Sequence, residues 1–263
     1  LELMAEEKKK KKKRRFTYIV GIFTPKGDII FLKNFFEILC PLFRFFAHYI
    51  SERQNSSAQN GTSNRKELNK LILVKKPKPI THKELHKLAG EAKGITKKLY
   101  LHWTGGNYGD AYDDYHLNID KDGQLYLTCK SFLDEKFHTF SRNRHALGIA
   151  LCCCANSKLY GHGRVDFGDQ PPTPVQLEKM AQVIAILTHA LELPIEFSTV
   201  LTHAEAAFMD GYGPGSGDKE MRWDLWYLPD LPFNRAMRPG GTALRKKAQW
   251  YYDYYFKSEM FIA

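Results

Sequence analysis

Two histidines close apolar, strand-like runs: His102 ends KLYLH (98–102) and His203 ends TVLTH (199–203). A strand end that opens into a loop is where α/β proteins place their chemistry. His102 is followed by Trp103-Thr104-Gly105-Gly106, pliable backbone beside a ring nitrogen. Fifteen residues past His203 stands Asp218, in the glycine-rich stretch GYGPGSGDKEMRWD (211–224). Two neutral imidazoles and one carboxylate are a usual catalytic zinc set, with the fourth position left for water. Taken alone, a separation of 101 residues specifies little, and each ring by itself fits a packed or capping role better than that of a ligand.

The elements that must carry these residues alternate along the chain. THKELHKLAGEAK (81–93) reads as a helix, with Thr81 as N-cap and Glu84 closing a capping box. KLYLHW (98–103) reads as a strand running into a Thr-Gly-Gly turn. YHLNI (115–119) and QLYLTC (124–129) read as a hairpin across DKDG (120–123). ALGIALCCC (146–154) is a near-continuous apolar run, the pattern of a central strand buried on both faces. Thr173-Pro174-Val175-Gln176 opens a long helix, with Thr173 as N-cap, Pro174 at the first helical position and Gln176 closing the box. Val175, Leu177, Met180, Val183, Ile184, Leu187 and Leu191 recur at helical spacing, and Pro194 ends the element. FSTVLTH (197–203) is a further strand. This order predicts a mixed α/β fold, a central mixed β-sheet flanked by helices.

Composition narrows the function classes. Of 263 residues, 43% are hydrophobic and 26% charged, as in ordinary globular domains. The net charge is +10, but residues 8–15 (KKKKKKRR) carry eight positive charges, and removing those eight leaves about +2. A nucleic-acid function would rest on that run alone, so no specific nucleic acid is expected as a partner. The five cysteines (Cys40, Cys129, Cys152, Cys153 and Cys154) are odd in number and three are adjacent, which is no disulfide framework. Alternation along a strand would point neighbours to opposite faces, so the triplet reads as small buried hydrophobes rather than a metal site.

Four regions follow. Residues 1–50 are a basic head and an apolar segment. The apolar part, residues 16–50, contains a turn at TPKGD (24–28) and IIFLKNFFEILCPLFRFFAHYI (29–50), which is interrupted by Lys33, Glu37, Pro41 and Arg44. Membrane association through residues 16–50, as an interfacial helix or a poor signal-anchor, packing on the main domain and an unstructured leader are all open readings. Residues 51–66 (SERQNSSAQNGTSNRK) are a polar linker. Residues 67–235 are expected to form the catalytic domain, and 236–263 a C-terminal extension in which QWYYDYYF reads as a packed helix.

LHWTGG, YHLNIDKDG, FHTFSRNRHALGIAL, TPVQLEKMAQVIAIL, THAE and GPGSGDKEMRWDLW occur here in this order. Over residues 80–230 the set resembles the type 2 N-acetylmuramoyl-L-alanine amidases, which include phage lysozyme-type amidases and peptidoglycan recognition proteins. The resemblance implies His102 and His203 as the first two ligands of a single zinc ion. It implies a third ligand a few residues before the aromatic-Asp pair Trp223-Asp224. A count of six gives Asp218 and a count of four gives Glu220, while Asp224 itself reads as structural. Tyr115 matches the family's catalytic tyrosine. Ser216 stands where members carry lysine or a hydroxyl residue, and His138 matches a groove residue near the metal. Trp103 and Trp226 are candidates for a sugar-binding groove, with burial equally open.

The implied activity is zinc-dependent hydrolysis of the amide joining N-acetylmuramic acid to L-alanine in bacterial peptidoglycan, by a monomer acting at the cell wall or as a phage lysin. Zinc would lower the pKa of water and polarise the carbonyl, with Tyr115 and Ser216 as donors to the oxyanion. Two other readings compete. One is a peptidoglycan-binding module without catalysis, and the other is a membrane-active or nucleic-acid-binding chain driven by its N-terminal segment.

Overall fold

In this computed structural model, residues 22–23, 29–30, 71–160, 165–211, 223–229 and 239–257 are described. Most of the 16–50 segment, the linker, Ser216, Asp218 and Glu220 lie outside the described residues. The chain divides into two units, Leu1–Asn69 and Lys70–Ala263. In the first, strands β1 (Ile22–Phe23) and β2 (Ile29–Ile30) pair antiparallel on either side of the TPKGD segment. Among the described residues, no helix is long and apolar enough to cross a membrane.

The second unit is a mixed α/β fold. Its elements are β3 (Lys78–Pro79), α1 (His82–Glu91), β4 (Lys98–Trp103), β5 (Leu117–Ile119), β6 (Leu125–Leu127), β7 (Ala146–Leu151), β8 (Lys158–Leu159), β9 (Val165–Asp166), α2 (Pro174–Leu191), β10 (Val200–Thr202), α3 (His203–Met209) and α4 (Pro239–Phe256). Six strands form one sheet in the order β10-β4-β7-β5-β6-β3. The first four run parallel, and β5-β6-β3 continue antiparallel. β8 and β9 form a separate antiparallel pair.

Alternation along β4 sorts its side chains. Leu99, Leu101 and Trp103 enter the main core with Leu147, Ile149 and Leu151 of β7, whereas Tyr100 joins Ala146, Leu201 and Ala206 in a second cluster. His102 is on the Tyr100 side by the same alternation. All six residues of β7 are buried, as the apolar run predicted.

Helix α2 packs against α1 and α4 and onto β5 and β7. Both expected capping boxes are present, at Thr81/Glu84 and Thr173/Gln176, and Pro174 occupies the first turn. Gln176 is fully buried and does more than cap. Its amide Nε2 donates to the carbonyls of Ile119 (3.0 Å) and Cys152 (3.1 Å), tying the helix start to the ends of β5 and β7. The helix stops before Pro194, because Glu192 takes a left-handed conformation at its C-cap.

Two expectations need correction. β7 ends at Leu151, so the cysteine triplet is buried but not strand. Cys154 has φ +70°, and the bend brings the sulfurs of Cys153 and Cys154 to 3.6 Å instead of opposite faces. The second concerns FSTVLTH. His203 begins α3 rather than ending β10, because Thr202-His203-Ala204-Glu205 is itself a capping box.

Helix α4 bears on the segments that flank the site. Arg245 pairs with both carboxylate oxygens of Glu205 at 2.8 Å and donates to the Val200 carbonyl at 2.9 Å. The Gly240 N–H donates to the Trp226 carbonyl at 3.2 Å.

Candidate metal centre

His102 is delivered by β4, one strand in from the sheet edge, and is fully buried, and His203 by the first turn of α3 beside it. β10 and β4 are hydrogen-bonded neighbours in parallel register, Thr202 opposite Leu101, so the two histidines emerge side by side. Their Nδ1 atoms are 3.2 Å apart. The carboxylate of Asp224 reaches both, with Oδ2 3.0 Å from His102 Nδ1 and Oδ1 3.2 Å from His203 Nδ1. Among the described residues this trio alone gathers three His, Cys, Asp or Glu side chains in reach of one ion.

The donor set fits zinc. A tetrahedral ion with arms of about 2.0–2.1 Å separates its ligand atoms by about 3.3 Å, close to the spacing of the two imidazole nitrogens and to that from each ring to its own nearer carboxylate oxygen. The charge states fit as well. Burial pushes His102 down to about 4, against the pull of Asp224, so the ring is neutral near pH 7. Burial works against ionisation of Asp224, but the charge of His203 and hydrogen bonds from both imidazoles outweigh it and hold the carboxyl well below the usual carboxylate range. A neutral His102 ring and an ionised Asp224 carboxylate are forms that ligate.

Tyr115 lies against this group, its ring centroid 5.1 Å from that of His102. Burial, reinforced by the charges of Asp224 and Asp114, raises its phenol well above the ordinary value. It therefore remains a hydrogen-bond donor across the physiological range.

His138 packs beside His102, with ring centroids 5.3 Å apart, and over Gly148. A Cβ at Gly148 would come within 2.6 Å of the His138 ring, so only glycine leaves the imidazole room. The turn carrying His138 is pinned by Asn143, whose Oδ1 accepts from the backbone N–H of His138 (3.1 Å) and of Thr139 (2.8 Å). Burial and the neighbouring imidazoles keep His138 well below its ordinary pKa, so it too is uncharged. Thr139, 1% exposed, places its hydroxyl 2.9 Å from His138 Nδ1 and 3.3 Å from His102 Nε2. The Nε2 atoms of His138 and His203 are buried without a hydrogen-bond partner.

Of the residues expected from sequence, His102, His203, Tyr115 and His138 come together. Trp103 does not join them. It packs in the main core against Trp223 (centroids 4.9 Å) and Phe167 (5.9 Å), on the opposite face of β4 from His102, so it buttresses the neighbour of Asp224 instead of lining a groove. Trp226 stacks on Tyr227. Thr139 escaped the sequence reading, and Asp224, expected there to be structural, instead brings its carboxylate to both histidines. Asp224 had a visible signal: it sits in Trp223-Asp224-Leu225-Trp226, an acidic residue inside an apolar run and so a candidate for burial.

The family model for N-acetylmuramoyl-L-alanine amidase matches residues 85–216, half of the chain, a span that takes in both histidines, Tyr115 and His138 and stops short of Asp218 and Asp224. No curated protein is similar enough to count as a relative. Similar solved structures include an endolysin N-acetylmuramoyl-L-alanine amidase, LysCS, from Clostridium intestinale URNW, with 17% identity over 52% of this chain and 83% of that one and a TM-score of 0.31. Another is peptidoglycan recognition protein-LE in complex with tracheal cytotoxin, a monomeric diaminopimelic acid-type peptidoglycan, with 14% identity over 59% of this chain and 88% of that one and a TM-score of 0.32.

Proposed function

The chain belongs to the N-acetylmuramoyl-L-alanine amidase family, and from that premise we propose that it hydrolyses the amide between N-acetylmuramic acid and L-alanine in bacterial peptidoglycan, using one zinc ion held by His102, His203 and Asp224. Membership supports peptidoglycan amidase or binding activity in general. The observation that carries the finer reading is the meeting of two imidazole nitrogens and a carboxylate at 3.0–3.2 Å. Asp224 takes the third-ligand role in this proposal because its oxygens already reach both rings. Asp218 is the competing candidate, from the sequence count.

When bound, zinc supplies Lewis acidity, which lowers the pKa of water and polarises a carbonyl. The chain's own residues supply the rest. Asp224 stays ionised and orients both imidazoles. Tyr115 keeps its phenol proton and offers it to the oxygen that gains charge when the amide carbon becomes tetrahedral. Ser216 is proposed as a second donor to that oxygen. His138, buried beside the site, is proposed to border the substrate groove. The proposed activity would act on the bacterial cell wall, from a wall-associated enzyme or a phage lysin.

The test is zinc content and release of new L-alanine amino termini from purified peptidoglycan, for the wild type beside Asp224→Asn and Asp218→Asn. One zinc per chain with cleavage, both lost in Asp224→Asn, is the expected result. Zinc without cleavage turns the reading to a binding module, and a chain that takes up no zinc overturns it.

A further inference from the structure

Thr139 stands between two imidazoles, and a hydroxyl has one proton to give. Its Oγ1 is 3.3 Å from His102 Nε2 and 2.9 Å from His138 Nδ1. If it donates to one ring it accepts from the other, so the tautomers of the two histidines are linked. In one arrangement His102 carries its proton on Nε2 and gives it to Oγ1, Oγ1 gives its own proton to His138 Nδ1, and His138 holds a proton on Nε2. In the other every direction reverses, and both rings carry the proton on Nδ1.

Only the first arrangement leaves a lone pair on Nδ1 of His102, the atom that faces Asp224 and His203. We propose that Thr139 is a positioning residue that sets His102 as the Nε2–H tautomer for metal binding and, through the same hydroxyl, sets His138 as an Nε2–H donor. This rests on the metal-centre reading above. The switch is balanced: one proton is given up at Nδ1 of His102, one is taken up at Nε2 of His138, and the protons between them move one place along the chain. The surroundings favour a fixed device, because Thr139, His102 and His138 are all buried and Asn143 holds the backbone of residues 138 and 139. His138 Nε2, the atom that becomes a donor, is buried without a hydrogen-bond partner.

The experiment compares the full-length wild type with Thr139→Val, which keeps the shape and removes the hydroxyl, and with Thr139→Ser, which restores it. Zinc affinity is read by competition with a chromophoric chelator, and the His138 tautomer from imidazole 15N shifts of the zinc-loaded protein. Thr139→Val should bind zinc about tenfold or more weakly, as expected of a lost partner behind a ligating histidine, and Thr139→Ser should stay near the wild type. His138 in the loaded wild type should carry its proton on Nε2. Equal affinity of wild type and Thr139→Val overturns the proposal and leaves the proposed activity standing, as does a loaded wild type with His138 protonated on Nδ1. A wild type that takes up no zinc overturns both.

Discussion

His102 and His116 are both fully buried within the sheet domain, and burial drives the pKa of each down to about 4. Their surroundings differ in one respect. His116 has both ring nitrogens committed to backbone: Nε2–H donates to the Asp134 carbonyl at 2.8 Å, and Nδ1 accepts from the Gly148 N–H at 3.0 Å. It is a strut. Around His102 the polar atoms are other side chains, and its Nδ1 faces another imidazole nitrogen at 3.2 Å and a carboxylate at 3.0 Å. Two imidazoles turned nitrogen to nitrogen around one carboxylate are a poor way to satisfy a core and a good way to hold a cation. Burial and a shifted pKa therefore do not separate a candidate metal-site histidine from a structural one; the identity of the partners does.

Four measurements bear on that contrast, taken from the largest expected effect to the smallest. His203→Ala should abolish zinc retention and take amide cleavage below detection, because the remaining pair cannot close a three-ligand set. Asp224→Asn should weaken zinc binding by more than about the hundredfold that loss of an outer partner can reach, while Asp218→Asn keeps wild-type affinity; the reverse result would transfer the third-ligand role to Asp218. Tyr115→Phe should lower kcat by about a hundredfold or more with zinc content unchanged, as for a lost oxyanion donor.

His116→Phe should act on stability instead. It leaves the Gly148 N–H and the Asp134 carbonyl unpaired, at a cost of about 1–3 kcal/mol each at most, and spares zinc affinity. It should also alter the pH profile. The folded pKa of His116, about 4, lies below the 6.5 of an unperturbed histidine, so the unfolded chain takes up the proton first. Stability falls as pH drops from about 6.5 to about 4, and this residue adds no further loss below that window. Thermal melts of the metal-free variant should show a shallower slope there than the wild type; an equal slope would mean that His116 is not among the groups responsible.

Much of this was legible in the sequence, for local reasons. Capping boxes and Pro174 fix helix starts through contacts within four residues, so α1 and α2 could be read directly. β4 declared itself by its apolar run, and the chemistry at its end by His102. Trp103 was readable too, since it alternates with a residue that faces the site. The approach of Asp224 to both histidines was not readable by counting, because it joins residues 122 and 21 positions apart, and no short-range pattern encodes such a meeting. The side-chain environment of Asp224, set between tryptophans and leucine, was the better guide than its distance from His203. Thr139 was invisible for the same reason: its hydroxyl meets His102 only once β4 and the 138–143 turn are brought together.

The Arg245–Glu205 pair and the Gly240 contact to Trp226 bear on how this protein can be taken apart. Glu205 belongs to the capping box that starts α3 at His203, and Trp226 is two residues from Asp224. The final helix thus braces both halves of the centre from behind. A module cut at residue 235 would keep His102, His203 and Asp224 and lose that brace. Moving this module into another protein should therefore be done with the junction after residue 257, treating the tyrosine-rich helix as part of the scaffold of the His-His-Asp cluster.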